Sequence, residues 1–226
     1  MNPKQRAAQA AMEFVDSGMI VGLGTGSTAD FFLQVLAAAL REGRLMNIRG
    51  VPTSLQSQRR ASQLGIPLAT LAQCPNPDVT IDGADEVGPR LDLIKGLGGA
   101  LLREKIVAQN SRKLVIIADA GKAVARLGSK SMLPVEVAQF GHEIHERFFQ
   151  SLSALPVLRK AADGIPFVTD NGNYIYDCRF EGGIEDPAQL EQQFRARAGV
   201  IETGLFLGMA KVALIAGEDG VERRLG

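Results

Sequence analysis

An α/β fold is predicted for this chain, and three observations predict it. Apolar runs at Met19-Ile20-Val21, Val79-Thr80-Ile81 and Leu114-Val115-Ile116-Ile117 alternate with segments of helical spacing. The first run leads straight into a turn of glycine, serine and threonine that opens a helix. Polar clusters close these runs, as they do at the carboxyl ends of parallel strands.

Residues Pro3 to Asp16 place Ala7, Ala8, Ala11, Met12, Phe14 and Val15 at helical spacing, and Gly18 is the stop. Met19-Ile20-Val21 reads as a buried strand that enters Gly22-Leu23-Gly24-Thr25-Gly26-Ser27-Thr28, with a helix over Phe31 to Leu40. That sequence of elements makes an anion site. The first-turn amides lack intrahelical partners, and the helix dipole adds potential that favours phosphate. Thr25, Ser27 and Thr28 add hydroxyl donors. Gly24-x-Gly26-x-x-Ala29 also fits the dinucleotide fingerprint, but that reading wants an acid about 20 positions on. The next strand, Arg49-Gly50-Val51-Pro52, ends in Thr53-Ser54 without a carboxylate. A single phosphate group is therefore preferred over NAD, with a ligand-free tight turn as the plain alternative.

Leu55 to Leu64 reads as a helix closed by Gly65, and Ile66 to Leu71 as a strand. Two prolines make Cys74-Pro75-Asn76-Pro77 a loop. Val79-Thr80-Ile81 delivers Asp82, Leu101 to Asn110 is a helix, and Leu114 to Ile117 ends in Asp119-Ala120-Gly121-Lys122. The expected sheet is parallel and Rossmann-like, with helices on both faces. The Thr25 loop, Thr53-Ser54, Asp82 to Asp85 and Lys122 then converge on one rim.

From about Gly128 the pattern changes. Strands at Val135-Glu136-Val137, Val157-Leu158, Tyr174-Ile175-Tyr176 and Val200-Ile201 enclose helices at His142 to Leu152 and from Pro187. The order βαββαβ is that of a ferredoxin-like α+β unit. Val212 to Ile215 returns to the first sheet. The expected division is a catalytic α/β domain of residues 1–127 plus 206–226, with an inserted, smaller α+β domain over 128–205.

Composition narrows the function. Lys+Arg 25 balance Asp+Glu 25 with no basic stripe, so nucleic acid is not an expected partner. No apolar run reaches the roughly 18 residues of a membrane span, and Glu13 and Asp16 interrupt any signal-peptide pattern after Lys4 and Arg6. A cytoplasmic address is expected. Cys74 and Cys178 read as buried small hydrophobes. His142 and His145 stand at i, i+3 rather than the i, i+4 of a zinc pair, so no metal is expected.

The chemistry centres on residues 82–105, DGADEVGPRLDLIKGLGGALLREK. Two carboxylates three residues apart follow a strand; Lys95 then enters the turn Gly96-Leu97-Gly98-Gly99, and a helix bears Glu104. Carboxylates near a lysine, beside a phosphate cradle and without a metal motif, suit proton transfer at a carbon next to a carbonyl. Aldose–ketose isomerisation is one such reaction, and amino-sugar deamination is another. A sugar-phosphate sensor is a third reading, but it wants a DNA-reading helix pair that neither end of the chain offers. The plainer readings are a solvated helix acid for Glu104, turn residues for Asp82 and Asp85, and a surface cation for Lys122.

Several stretches together resemble ribose-5-phosphate isomerase of the type A family. They are GLGTGSTA at 22–29, Thr53-Ser54, DGADE at 82–86, KGLGGALLREK at 95–105, ADAGK at 118–122 and LPVEV at 133–137. NGNYIYDC at 171–178 and ETGLFLGMA at 202–210 are also similar, so the likeness runs almost end to end. The resemblance implies interconversion of D-ribose 5-phosphate and D-ribulose 5-phosphate without a cofactor, in a homodimer or homotetramer. It implies Glu104 as general base, Asp82 and Asp85 as acids around the sugar hydroxyls, and Lys95 as the cation at the enediolate. Thr25, Gly26, Ser27 and Thr28 match the substrate loop, Lys122 a substrate lysine, and Lys4 a phosphate-contacting lysine. Gly83, Ala84, Gly96, Leu97 and Gly98 complete the implied substrate contacts. Leu97 stands where the family often has another glycine, and a side chain there restricts the backbone beside Lys95.

Overall fold

A computed structural model describes residues 2–226. Helix α1 (Pro3–Ala10) continues through a 3-10 turn into β1 (Ile20–Leu23), α2 (Ser27–Arg41), β2 (Arg49–Pro52) and α3 (Leu55–Gln63). Then come β3 (Val79–Gly83), the short β4 (Glu86–Val87) and β5 (Leu93–Ile94), α4 (Leu101–Asn110) and β6 (Leu114–Asp119). A second stretch holds β7 (Leu133–Val137), α5 (Ile144–Ser151), β8 (Leu155–Leu158), β9 (Tyr174–Arg179), α6 (Pro187–Arg195) and β10 (Val200–Thr203). The chain finishes on β11 (Leu205–Phe206), β12 (Ala210–Ala216) and β13 (Val221–Leu225).

The main sheet runs β13-β12-β6-β3-β1-β2. All its pairings are parallel except β12 with β13. A strand buried on both faces needs apolar residues throughout rather than alternation, and Leu114 to Ala118 of β6 are all buried. Helix starts are set by local chemistry. Asn2 and Gln5 close a capping box ahead of Pro3, and Ser54 and Ser57 do the same for α3.

The second sheet, β10-β7-β9-β8, is antiparallel at every pair. Numbered within its own segment this is the order 4-1-3-2 of a ferredoxin-like unit. Its core is aromatic: Phe149 meets Phe194 edge-on at 5.2 Å and Tyr176 at 5.6 Å. A three-stranded ribbon, β11-β5-β4, joins the two sheets. Leu205 belongs to the core of the smaller sheet and Phe206 to that of the larger.

Three expectations need correcting. Ile66 to Leu71 is not a strand; Leu68 makes one isolated bridge to Gly50, and a turn begins at Thr70. Pro67 removes a donor from so short a run. Helix α2 starts at Ser27 rather than Phe31, because Gly26 already serves as its N-cap. Strand β13 was not expected at all, since Glu222-Arg223-Arg224 reads as polar surface, yet it forms the antiparallel edge of the main sheet.

Candidate active site

Strands β1 and β3 are neighbours, but the chain leaves β1 toward β2 and leaves β3 toward β6 on the other side. That reversal opens a crevice at their carboxyl ends. Gly24 lets the two strands close up there: a Cβ on it would lie 2.3 Å from Asp82 Oδ1. The Asp82 carboxylate instead accepts the Thr25 N–H at 3.0 Å and the Gly83 N–H at 2.7 Å on that same oxygen.

Lys95 Nζ sits at the centre of the cluster. It donates to the Gly83 carbonyl at 2.6 Å and to Glu104 Oε1 at 3.2 Å, and lies 3.0 Å from Asp82 Oδ2. Asp82, Lys95 and Glu104 are all buried. Glu104 reaches back from the first turn of α4, as helical side chains lean toward the N-terminus. Its Oε2 has no protein partner among the described residues.

Burial pushes the Glu104 carboxyl up to about 8; Lys95 opposes that shift and the charge of Asp82 adds to it. Burial also pushes Asp82 up, against Lys95 and the two backbone donors. Burial acts to lower the Lys95 ammonium, but Asp82 and Glu104 outweigh it and the net direction is up. Two carboxylates thus share one ammonium where water is excluded. Such a group retains a proton near neutral pH, shared by the Asp82 and Glu104 carboxyls, both of which burial pushes up.

The cluster forms one wall of a cleft of about 110 Å³. Lys4, Thr25, Gly26, Ser27, Thr28, Gly83, Ala84, Asp85, Lys95, Gly96, Gly98, Glu104 and Lys122 line it. In the same lining Lys4 Nζ donates to Ser27 Oγ at 2.8 Å. The N-terminus of α2 has no side-chain cap, so its first amides are free for an anion. Lys122 comes from the 3-10 turn after β6, which Asp119 caps through the Gly121 N–H at 3.0 Å. The cleft therefore combines two lysines and free helix amides suited to phosphate with an acid–lysine cluster suited to proton transfer. Larger concavities of about 540 Å³ and 330 Å³ lie between α2 and α3 and behind α4. Neither holds this titratable cluster.

Two expected contacts stand apart from the cleft lining. Asp82 lies beneath it, engaged with Lys95 and the backbone. Leu97 is not among the residues that line the cleft and is 38% exposed. Leu97 adopts no left-handed backbone, and its N–H donates to Asp85 Oδ2 at 3.0 Å. The amides of Gly96 and Gly98 keep no partner among the described residues. Thr25 also differs from expectation. Its hydroxyl turns inward to Thr53 Oγ1 at 2.7 Å and Ser54 Oγ at 2.8 Å. Thr53 and Ser54 are buried supports of the loop rather than rim donors. One residue that no local signal marked is Arg159, at the end of β8, whose guanidinium donates to the carbonyls of Gly96 and Leu97.

The family model described as Ribose 5-phosphate isomerase A (phosphoriboisomerase A) matches residues 49–220. The chain is 54% identical over 218 residues to the ribose-5-phosphate isomerase A of Roseiflexus castenholzii, covering 96% of this chain and 93% of that one. To the protein of the same name from Synechococcus sp. it is 51% identical over 220 residues, covering 97% and 95%. Among solved structures, a D-ribose-5-phosphate isomerase in complex with phospho-erythronic acid is similar at TM-score 0.96 and 37% identity, over 100% of both chains. The ribose 5-phosphate isomerase of Plasmodium falciparum is similar at TM-score 0.95 and 38% identity, over 100% and 99%.

Proposed function

The chain belongs to the ribose 5-phosphate isomerase A family, and from that premise we propose how its cleft interconverts D-ribose 5-phosphate and D-ribulose 5-phosphate. The reaction moves one hydrogen between neighbouring carbons of the open-chain sugar. A base takes the proton from C2, the electron pair becomes an enediolate, and the proton returns at C1 while the hydroxyl proton passes from O2 to O1, leaving the ketone at C2. Deaminase, lactonase and sensor readings find no support in these relatives.

In this reading Glu104 is the base, and its unpartnered Oε2 carries the assignment. Oε1 is held by Lys95, so one oxygen is fixed while the other is left to exchange a proton. A carboxyl at about 8 lies close to an ordinary working pH, where a general base is most effective. Lys95 balances the enediolate charge, with the Gly96 and Gly98 amides as further donors. Asp82 fixes Lys95 from beneath the cleft, and Asp85 faces the sugar hydroxyls. Lys4, Lys122 and the Gly26-Ser27-Thr28 turn hold the phosphate. Thr25 orders that turn through its inward hydroxyl, while Ala84 and Gly83 line the sugar. Phospho-erythronic acid, the ligand of one similar structure, has a phosphate and a planar carboxylate at opposite ends. That pairing of charges supports reading this cleft as a phosphate site joined to an acid–lysine cluster.

Glu104→Gln is expected to leave folding intact and lower kcat by two or more orders of magnitude, on the scale of a lost general base. For the parent enzyme log kcat/KM should climb with pH and level off above about 8, as Glu104 gives up its proton. Near-normal turnover in the variant, or a flat profile between pH 6 and 9, removes Glu104 from this role. Incubation with ribose 5-phosphate in heavy water tests the chemistry itself, with deuterium at carbon in ribulose 5-phosphate as the expected result.

We further propose that residues 128–205 form an inserted unit within a catalytic domain of 1–127 plus 206–226. The separate cores of the two sheets support this. A homodimer or homotetramer is proposed on the family's pattern, to be measured by light scattering. Exposed Leu155 and Val157 on edge strand β8 are consistent with such an assembly. No helix among the described residues is long and apolar enough to cross a membrane. A cytoplasmic location is proposed, to be tested by cell fractionation.

A further inference from the structure

We infer that Arg159 is a positioning residue for the isomerisation, aiming the glycine-rich turn after Lys95 so that its amides face the cleft. The inference rests on the reading that those amides stabilise the enediolate. Arg159 Nη1 donates to the Gly96 carbonyl at 3.3 Å and the Leu97 carbonyl at 3.0 Å. In a planar trans peptide the C=O and the following N–H point in opposite directions. Drawing two successive carbonyls toward one guanidinium therefore turns the Leu97 and Gly98 N–H groups the other way. The first of these reaches Asp85 Oδ2 at 3.0 Å, on the cleft wall, which fixes the direction. The second belongs to Gly98, which lines the cleft and has no other partner among the described residues.

The guanidinium is itself held rigidly. Nε and Nη2 form a fork on Asp177 of β9, at 2.8 Å and 2.5 Å, the planar geometry that lysine does not reproduce. The Phe167 ring lies 5.7 Å from Arg159 Cζ. It also packs against Gly99, where a Cβ would come within 2.6 Å of the ring. Arg159, Asp177 and Phe167 all belong to the smaller sheet and its hairpin, so the unit that carries no proton-transfer group shapes a turn of the unit that does.

Steady-state kinetics on Arg159→Met test the inference. The expected result is a kcat lowered roughly 10- to 100-fold, the scale of a misplaced transition-state contact. KM for ribose 5-phosphate stays within about three-fold, because the phosphate site is untouched. Arg159→Lys recovers only part of the loss. Millimolar guanidinium restores part of kcat to Arg159→Met and none to Glu104→Gln. A kcat within two-fold of the parent, or an Arg159→Lys enzyme equal to the parent with no rescue of Arg159→Met, overturns the inference. Should Arg159→Met not fold, Asp177→Asn loosens the same fork and shows the same split at smaller size; an unchanged kcat there overturns it equally. Lys95→Met, measured alongside, separates the two readings. If it keeps its turnover the enediolate assignment falls and takes the Arg159 role with it; if it is inactive while Arg159→Met is normal, only the Arg159 role falls.

Discussion

Glu104 shows how one residue trades stability for reactivity. Its carboxyl is raised from 4.5 to about 8 by burial, so the native protein binds that proton more tightly than the unfolded chain does. Where the native state holds more protons, stability falls as pH rises. The contribution of Glu104 is thus fully present below about 4.5 and is lost between there and about 8. At about 1.4 kcal/mol per pKa unit the burden amounts to a few kcal/mol. Glu104→Gln does not titrate and escapes it. The thermal midpoint of the variant should therefore gain on the parent as pH is raised across that window, then hold a constant lead. A constant difference across the whole range would show that the native carboxyl titrates as it does in the unfolded chain. Glu104, Lys95, Asp82 and Asp85 were legible in the sequence as candidates, from acids and a lysine around a glycine-rich turn, but their separate roles came only with the family resemblance. The inward turn of the Thr25 hydroxyl was not legible, since it depends on Thr53 and Ser54, brought from a different strand.

Helix α4 decides where Glu104 points, and it is held from two sides. Glu104 faces Lys95, while the next residue, Lys105, is buried against Glu202 of β10 at 2.7 Å and Glu191 of α6 at 3.4 Å. Lys105 also lies 5.0 Å over the Phe206 ring. A helix with adjacent charged residues both buried has no clean apolar stripe to read. Removing one partner from a buried ion pair strands the other, at a cost of about 3–5 kcal/mol. Lys105→Met should accordingly lower the thermal midpoint by on the order of 10 °C in a chain of this size. Lys105→Met together with Glu202→Met and Glu191→Gln should recover much of it, since no charge is then left without a partner. Differential scanning calorimetry of the two proteins makes the comparison; a single variant as stable as the parent would mean that Glu202 is solvated. Elements with strong periodicity, such as α1, α2, β3 and β6, were readable from sequence, as was the βαββαβ order. Strand β13 and the Leu68 bridge were not, because each is defined by the strand it lies beside rather than by its own residues.

On the scale of the whole molecule, the two sheets have separate cores but are tied by polar contacts that neither makes alone. Glu86 accepts the N–H groups of Gly128, Lys130 and Ser131 at 2.6, 2.7 and 2.5 Å, exactly where the chain passes toward the smaller sheet. Arg103 of α4 donates to Asn171 Oδ1 and the Asp170 carbonyl, and Asp170 in turn accepts the Leu55 N–H that opens α3. The Arg103 and Asp170 contacts lie at the surface, whereas Glu86, Lys105 and Arg159 place buried or half-buried groups of each unit in the keeping of the other. Opening one unit leaves such groups unpaired in its neighbour, at about 1–3 kcal/mol apiece, so the two should unfold together. The sequence supplies its own probes. Trp is absent and both tyrosines, Tyr174 and Tyr176, lie in β9 of the smaller sheet. Tyrosine fluorescence therefore reports on that sheet, while turnover reports on the cleft at the edge of the larger one. In a urea series the two signals should share one midpoint, as a two-state transition requires. Tyrosine signal lost at urea concentrations where turnover is still complete would mean that the smaller sheet opens by itself, and the cross-contacts would then be too weak to hold the glycine-rich turn in place.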